Sequence, residues 1–242
     1  MMLAVDIGNT NVTCGVHDGK KWVQTLRLPS TLDFWDQFST LKEFDITECA
    51  ISSVVPNLIQ VYIESIRNLF QIDAHIITCQ NSGVELLVET PQDVGIDRIC
   101  NVAAAKLLVG TPAIVGDIGS ATNYDVVDEN GAFIGGAIAP GIKVAAHNLI
   151  EKAALLNETA FIVPESAVGK NTETNLQSGI MLGAIDVVDG MFTRIMGEMN
   201  WEKCNMIITG GFGGLIAPYL ETKHNYLPNL TLDGIRITYG KK

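Results

Sequence analysis

Two stretches of the chain, LAVDIGNTNVTCGV at residues 3–16 and AIVGDIGSATNYDVV at residues 113–127, share one pattern. In each, an apolar run leads into Asp-Ile-Gly, and small polar residues and then β-branched residues follow. The two triplets, Asp6-Ile7-Gly8 and Asp117-Ile118-Gly119, are 111 residues apart. An apolar run that ends at a glycine indicates a strand entering a tight turn. We therefore expect each stretch to form the first hairpin of one of two similar halves.

The segments after the two stretches repeat one order of elements. In the first half, Asp18-Gly19 marks a turn between strands, and a helix, a strand, a helix and a strand follow. In the second half, Asn130-Gly131 marks the corresponding turn, and helices predicted around IKVAAHNLIEKAALL and TNLQSGIMLGAIDVVDGMFTRIMGEM precede the strand NMIITG. This repetition favours an internal duplication. A single α/β domain with two such turns is the alternative.

The composition limits the classes to which the chain can belong. It has 242 residues, 47% hydrophobic and 18% charged, with a formal net charge of −11. A chain of this length buries a core without disulfides or a structural metal, and it is too apolar to be disordered. Its negative charge disfavours binding to nucleic acid or to an anionic membrane surface. We expect one domain or two tight lobes, with any anion bound locally.

Cysteine usage and hydropathy indicate a cytoplasmic protein. The five cysteines are widely spaced and form no CxxC pair, so neither a disulfide framework nor a zinc site is indicated. No stretch approaches the roughly 18 apolar residues of a membrane span, and the apolar run at the start is too short for a signal peptide. We expect no nucleic-acid partner and no membrane partner.

The two Asp-Ile-Gly turns have the chemistry to bind phosphate and cations. Glycine lets backbone N–H groups approach a phosphate closely, and Asn9, Thr10 and Asn11 add neutral donors. The carboxylates of Asp6 and Asp117, at the ends of their strands, suit Mg²⁺ or a monovalent cation, and we expect them to face each other across a cleft. A turn-forming aspartate is the alternative for each. GxxxxGK[ST] and GxGxxG are both absent from the sequence.

The segment Gly95-Ile96-Asp97-Arg98 opens a helical pattern and has the chemistry of a substrate site. One carboxylate that accepts the hydroxyl proton is what phosphoryl transfer requires, and Asp97 meets that need. The planar fork of Arg98 suits a carboxylate on a substrate. Helix capping or first-turn charge is the alternative for Asp97, and an ion pair with a neighbouring acid is the alternative for Arg98.

Seven motifs, in order along the chain, resemble those of the type III pantothenate kinases, which belong to the acetate and sugar kinase, heat-shock and actin-like ATPase superfamily. They are DIGNTN (6–11), SSVVP (52–56), GIDR (95–98), DIGSATNYD (117–125), GGAIAPG (135–141), GKNT with QSG (169–172 and 177–179) and ITGG (208–211). The resemblance implies an α/β fold, namely a duplicated ribonuclease H-like fold of two βββαβα-type lobes with an ATP cleft between them. The lobes would be residues 1–111 and 112–242.

The resemblance also implies an activity. It is ATP-dependent phosphorylation of pantothenate to 4′-phosphopantothenate, the first step of coenzyme A biosynthesis, with Mg²⁺ and a monovalent cation, K⁺ or NH4⁺. A homodimer with its active site at the interface is implied as well. The alternatives are a kinase for another small hydroxylated substrate and a ligand-binding accessory transcription factor of the same family.

Site residues follow from the resemblance, position by position. Asp97 is expected to be the general base, Asp6 to lie near Mg²⁺, and Asp117 to bind the monovalent cation. The residues expected to hold ATP are Asp6, Ile7, Gly8, Asn9, Thr10, Asn11, Val12, Thr13 and Ser120. The residues expected to contact pantothenate are Gly95, Ile96, Asp97, Arg98 and Thr172.

The chain departs from the family pattern at three positions. The second loop of the family is usually DxGTATT[FV]D, and here Ser120 and Asn123 stand in place of threonines. Relatives often carry a tyrosine over the pantothenate, and here that position is Val88. The phosphate-binding and base positions are intact. We therefore expect kinase chemistry, with the contacts to pantothenate altered or supplied by another residue.

Overall fold

The computed structural model describes residues 1–153 and 156–240. These residues form two compact units. The first unit contains residues 1–109, residues 131–133 and the segment from Asn229 onward, and the second contains residues 110–130 and 134–228. The predicted duplicated, two-lobe α/β fold is confirmed. The lobe boundary expected near residue 111 stays a prediction, and the two compact units differ from it at residues 131–133 and in the segment from Asn229 onward.

Each unit is built on one mixed sheet. The strands of the first unit are β1 (Met2–Ile7), β2 (Asn11–His17), β3 (Trp22–Pro29), β4 (Glu48–Ser53) and β5 (Ala74–Ile76). Those of the second unit are β6 (Ala113–Ile118), β7 (Ala121–Val127), β8 (Phe133–Pro140, whose first residue belongs to the first unit), β9 (Asn205–Thr209) and β10 (Asn225–Tyr226).

The helices include those predicted from the sequence, in the predicted order. They are α1 (Trp35–Phe38), α2 (Pro56–Phe70), α3 (Ile96–Leu108), α4 (Ile142–Lys152), α5 (Thr172–Gln177), α6 (Gly183–Glu198), α7 (Gly213–Ile216) and α8 (Leu230–Tyr239). The long helix predicted after residue 173 is present as α5 and α6, joined by a π-helical turn at Ser178–Leu182. The helix predicted around IKVAAHNLIEKAALL is present to Lys152, and its residues 154–155 lie outside the described residues.

The two sheets have the same strand order and the same strand directions. The first runs β3-β2-β1-β4-β5, with β1 antiparallel to β2 and parallel to β4. The second runs β8-β7-β6-β9-β10, with β6 antiparallel to β7 and parallel to β9. The sequence of buried and partly buried residues along β6 and β7 repeats that of β1 and β2 position by position. The internal duplication is therefore visible in the backbone and in the burial of the side chains.

The strand register corrects the overlay of the two stretches after the glycine. In the first hairpin Asp6 pairs with Thr13, whereas in the second Asp117 pairs with Asn123. The turn between β1 and β2 is therefore one residue longer than the turn between β6 and β7. The offset of 111 residues holds up to the glycine and becomes 110 after it. Small and β-branched residues follow both glycines, so the sequence pattern does not fix where each second strand begins.

Strand β1 is buried on both faces of the first sheet. Leu3, Val5 and Ile7 belong to a core that includes Tyr62 and Ile66 of α2. Met2 and Ala4, on the opposite face, belong to a second cluster with Cys100 of α3 and Ile235 of α8. Because side chains alternate along a strand, Asp6 lies on the same face as Met2 and Ala4. The fold thus directs Asp6 toward the α3 side of the sheet.

Helix α8, which the sequence analysis did not predict, packs closely on α3. Gly234 makes this approach possible, since a Cβ there would overlap the backbone of Cys100. Thr231 donates a hydrogen bond from Oγ1 to Oδ1 of Asn101 at 2.8 Å. Among the described residues, no helix combines the length and the apolar composition needed to cross a membrane.

Candidate active site

The first hairpin turn is a short loop held in place from one side. The Gly8 N–H donates to the Asn11 carbonyl at 3.1 Å, which closes the turn. The Ser30 N–H donates to the Thr10 carbonyl at 3.1 Å, and the Ser30 hydroxyl donates to the Gly8 carbonyl. Asn9 and Thr10 are exposed. The loop therefore has a fixed backbone and presents an amide and a hydroxyl to solvent.

The residues predicted to hold ATP in this loop differ in whether their side chains are accessible to a ligand. Asn11 and Thr13 are partly buried, whereas Ile7 and Val12 are completely buried in the core. The side chains of Ile7 and Val12 are thus committed to packing, and only their backbone groups remain for a ligand. The Ile7 carbonyl already accepts the Val54 N–H at 3.0 Å. The assignment of these residues to ATP stays a prediction.

Asp6 lies beside a buried serine of the neighbouring parallel strand. Asp6 and Ser52 are partners in the register of β1 and β4. The Ser52 hydroxyl donates to Oδ1 of Asp6 at 3.0 Å, and Ser52 is completely buried. A hydrogen bond to a carboxylate is among the stronger kinds, so it restricts the rotation of the Asp6 side chain.

Asp97 lies in the first turn of α3, and its carboxylate is largely withdrawn from water. Its Oδ1 accepts the Arg98 N–H at 2.8 Å, so the helix-start interaction named above as the alternative is present. Gly95 is the N-cap residue, and a Cβ there would overlap Oδ1 of Asp97. Burial raises the pKa of Asp97, although the N–H and the guanidinium of Arg98 act in the opposite direction. A carboxylate with a raised pKa is a stronger base than an exposed one.

Cys100 joins Asp6 and Asp97 in one cluster. It lies one helical turn after Asp97 and is completely buried. Burial raises the pKa of its thiol well above the usual range, the carboxylates of Asp6 and Asp97 raise it further, and a side-chain hydrogen bond with Ser52 acts in the opposite direction. The structure therefore brings Asp6, Ser52, Asp97 and Cys100 together within the first unit.

The sequence analysis gave no role to Ser52 or Cys100. Ser52 was only part of the motif SSVVP. That motif ends a strand parallel to β1, and the carboxyl ends of adjacent parallel strands meet at one edge of a sheet, which is the signal that could have placed it next to Asp6. Cys100 had no such signal, because its position follows from the packing of α3 on the sheet.

Arg98 lies over an aromatic ring. Its guanidinium carbon is 5.2 Å from the centroid of the Phe133 ring. Phe133 is buried and fixed by two backbone hydrogen bonds, one donated by its own N–H to Glu85 at 2.9 Å and one received from the Leu87 N–H at 2.8 Å. Val88, where relatives often have a tyrosine, follows directly in this segment. Phe133 is a further residue that the sequence analysis missed.

The second hairpin turn is held by a glycine from another motif. The Gly119 N–H donates to the Ala121 carbonyl at 2.9 Å. The Gly141 N–H, from GGAIAPG, donates to the Ser120 carbonyl at 3.1 Å, and a Cβ at Gly141 would overlap the backbone of Gly119 and Ser120. Ser120 itself is exposed. The turn is thus shorter than the first and is packed against backbone.

Asp117 lies against the backbone of the motif ITGG. Gly210 has φ +88°, and a Cβ there would overlap Oδ1 of Asp117 and lie 2.6 Å from the backbone of Ile118. The Phe212 N–H donates to the Ile118 carbonyl at 2.9 Å. The second unit therefore brings the motifs DIGS, APG and ITGG together, with glycine backbone around the carboxylate.

Thr172, a predicted pantothenate contact, lies in the second unit. It is the first residue of α5 and is exposed. The preceding Asn171 caps the helix, since its Oδ1 accepts the Thr174 N–H at 2.9 Å. The local structure fixes the position of Thr172 and leaves its side chain at the surface.

The carboxylate of Asp6 fits a magnesium ion whose other coordination positions are filled by phosphate and water. Within residues 1–153 and 156–240, no group of three or more His, Cys, Asp or Glu side chains forms a metal site. Mg²⁺ usually takes one or two protein carboxylates and fills its other positions with substrate phosphate and water. The carboxylate of Asp6 beside an open loop is suited to that arrangement, and an all-protein metal site is not needed.

Comparisons with known proteins identify relatives over the full length of the chain. A family model described as type III pantothenate kinase matches residues 2–194. A type III pantothenate kinase of Agathobacter rectalis is 38% identical over 254 residues, which covers 100% of this chain and 98% of that protein. One of Thermomicrobium roseum is 39% identical over 253 residues, covering 100% and 97%.

Solved structures support the fold. A Campylobacter jejuni protein named as a Baf family transcriptional activator has a TM-score of 0.64 at 22% identity, over 99% of this chain and 98% of that one. A Sinorhizobium meliloti protein named as a 2-dehydro-3-deoxygalactonokinase has a TM-score of 0.57 at 11% identity, over 100% and 97%. At these identities the likeness shows the fold alone.

Proposed function

Because this chain belongs to the type III pantothenate kinase family, we propose that its two hairpins and the start of α3 carry out the reaction of that family. The chain transfers a phosphate group from ATP to pantothenate, a reaction of coenzyme A biosynthesis. We assign the product as 4′-phosphopantothenate, formed in the first step of that route. The observation that carries the assignment of residues is the largely buried Asp97 in the same cluster as Asp6 and Ser52.

Asp97 is proposed to accept the proton of the pantothenate hydroxyl. Phosphoryl transfer demands alignment, charge neutralisation and one group that takes this proton. Burial raises the pKa of Asp97, which brings its basicity closer to that required at neutral pH. Since its Oδ1 accepts the Arg98 N–H, Oδ2 is the oxygen we assign to the substrate.

The first loop is proposed to hold the phosphates of ATP. Its exposed Asn9 and Thr10 and the backbone of Gly8 supply donors without a positive charge, which explains how a chain of net charge −11 can bind a polyanion. Asp6 would hold Mg²⁺, which neutralises phosphate charge when it is bound. Ser120 would add a contact to ATP, and Asp117 would bind K⁺ or NH4⁺.

Arg98 is proposed to bind the carboxylate of pantothenate. The guanidinium carbon lies 5.2 Å from the centroid of the Phe133 ring, a contact that restrains the side chain of Arg98, and the planar guanidinium suits a carboxylate. Gly95 and Ile96 would contact the substrate beside it, and Thr172 would complete the pocket in a homodimer. Cytoplasmic location and a dimeric state are part of this proposal.

An assay with purified protein tests the assignment. The protein is incubated with ATP, Mg²⁺ and pantothenate, with and without K⁺ or NH4⁺, while ADP release and phosphopantothenate formation are measured together. We expect pantothenate-dependent ADP release that requires the monovalent cation. Tight ATP binding without phosphorylation of pantothenate would instead favour a ligand-binding protein or a kinase for another hydroxylated substrate.

The variant Asp97→Asn tests the base. We expect turnover to fall by about 10² or more, because general-base catalysis contributes about that factor. In the wild-type protein kcat/KM should fall as the pH drops through the pKa of Asp97, and this acid limb should lie above the usual aspartate value of about 3.9. Near wild-type turnover in Asp97→Asn would leave this residue with only its helix-start role.

A further inference from the structure

The hydroxyl of Ser52 has one orientation that satisfies its surroundings. Ser52 is completely buried in β4, so its Oγ has only protein partners. It donates to Oδ1 of Asp6 at 3.0 Å. Because a hydroxyl has a single proton, this hydrogen bond commits the Ser52 proton to Asp6.

The hydrogen bond lies at the phosphate-binding end of β1. Asp6 is the next-to-last residue of that strand, which leads into the loop proposed to hold phosphate. A side chain that binds a metal needs its neighbours to hold its orientation to within about half an ångström. The hydrogen bond from Ser52 is one such restraint on the partly buried carboxylate of Asp6.

We propose that Ser52 is a positioning residue, which orients the carboxylate of Asp6 for the magnesium–ATP complex. Ser52 touches neither substrate, and it acts through Asp6. The inference rests on the proposed role of Asp6. It goes beyond that role because it assigns a function to Ser52, to which the motif SSVVP alone assigned none.

The test compares Ser52→Ala with Ser53→Ala, a matched control. The control removes the same hydroxyl from the next residue of β4, where Oγ forms hydrogen bonds with the backbone of Val55. We expect Ser52→Ala to raise both the KM for ATP and the dissociation constant of the magnesium–ATP complex about tenfold, with the KM for pantothenate within twofold of wild type. Calorimetric titration with and without Mg²⁺ measures binding independently of turnover.

A merely structural role for Ser52 predicts a different result. Both serine variants would then lower the melting temperature and leave the magnesium–ATP constants unchanged, and that outcome overturns the proposal. Asp6→Asn distinguishes a failure of the proposed function of Asp6 from a failure of the proposed role of Ser52. If Asp6→Asn leaves magnesium–ATP binding unchanged, the proposed function of Asp6 fails, whereas an effect of Asp6→Asn without one of Ser52→Ala defeats only the inference.

Discussion

The two hairpins have the same backbone and different surroundings. β1–β2 and β6–β7 match in strand direction, in burial and in the aspartate that precedes the last residue of the first strand. Asp6 is in contact with a buried hydroxyl and belongs to a cluster with Cys100 and Asp97. Asp117 lies against the glycine backbone of Gly210. The first turn is also one residue longer than the second.

The difference shows that a duplicated hairpin keeps its geometry while the elements packed on it decide its chemistry. A carboxylate beside hydrogen-bond donors and a second carboxylate is suited to reaction and to a divalent ion. A carboxylate enclosed by backbone is suited to a weakly bound cation held partly by carbonyl oxygens. We therefore expect matched substitutions in the two hairpins to have unequal effects.

The largest difference in the loss of kcat/KM is expected between Asp6→Asn and Asp117→Asn. Asp6→Asn should lower kcat/KM by about 10³, because it removes the charge proposed to hold Mg²⁺ at the phosphates. Asp117→Asn should lower it by about tenfold and remove the difference between assays in K⁺ and in Na⁺. Steady-state kinetics in both salts measures this. Equal losses of kcat/KM in the two variants would contradict the different roles expected for the two hairpins.

Gly210→Ala tests how tightly backbone encloses Asp117. The added Cβ would overlap the carboxylate, and the positive φ adds strain, so we expect a loss of about 3 kcal/mol of folding free energy. For a chain of this size that corresponds to a fall in melting temperature of about 6–12 °C. Gly135→Ala is the control, since φ is +122° there but nothing lies within 4 Å of the added Cβ. Similar melting temperatures for the two variants would contradict the enclosure.

Deletion of Thr10 makes the first turn as short as the second. It removes one exposed hydroxyl and the carbonyl that accepts the Ser30 N–H, so we expect the KM for ATP to rise about tenfold. Thr10→Ala keeps the length of the loop and should raise it about threefold. A deletion no worse than Thr10→Ala would mean that the extra residue has no part in binding phosphate.

Phe133→Leu should have a smaller effect than the deletion of Thr10. A cation–π contact is worth about 1 kcal/mol, so we expect the KM for pantothenate to rise about fivefold with the KM for ATP unchanged. Phe133→Tyr keeps the aromatic face and should restore the wild-type value. If Phe133→Tyr is as impaired as Phe133→Leu, the ring contributes through packing in its buried position and not through Arg98.

Much of the fold was predictable because its signals are local. Strand alternation, the Asp-Gly and Asn-Gly turns and helical spacing identified the strands of both hairpins and helices α2, α3, α4 and α6. The sequence of α8, LTLDGIRITY, has β-branched residues and a central glycine, which disfavour a helix. It is helical because Gly234 lets it pack on α3, and that packing is visible only in three dimensions.

The candidate site was predictable where a motif carried the chemistry. Asp6, Asp97 and Arg98 stand in motifs whose residue types suggest a role. Ser52 is an ordinary core residue in sequence and acquires a role only from the register of β4 with β1. Phe133 becomes visible only when the guanidinium of Arg98 is placed over its ring.

The packing of α8 on α3 has a consequence for how the protein is made. The ribosome synthesises β1 first, yet one face of β1 is covered by a cluster that includes Ile235 of α8. That helix emerges only after the whole of the second unit has been translated. The first unit therefore cannot complete its folding before residues 230–239 have been synthesised, and the nascent chain exposes an apolar face of β1 until α8 arrives.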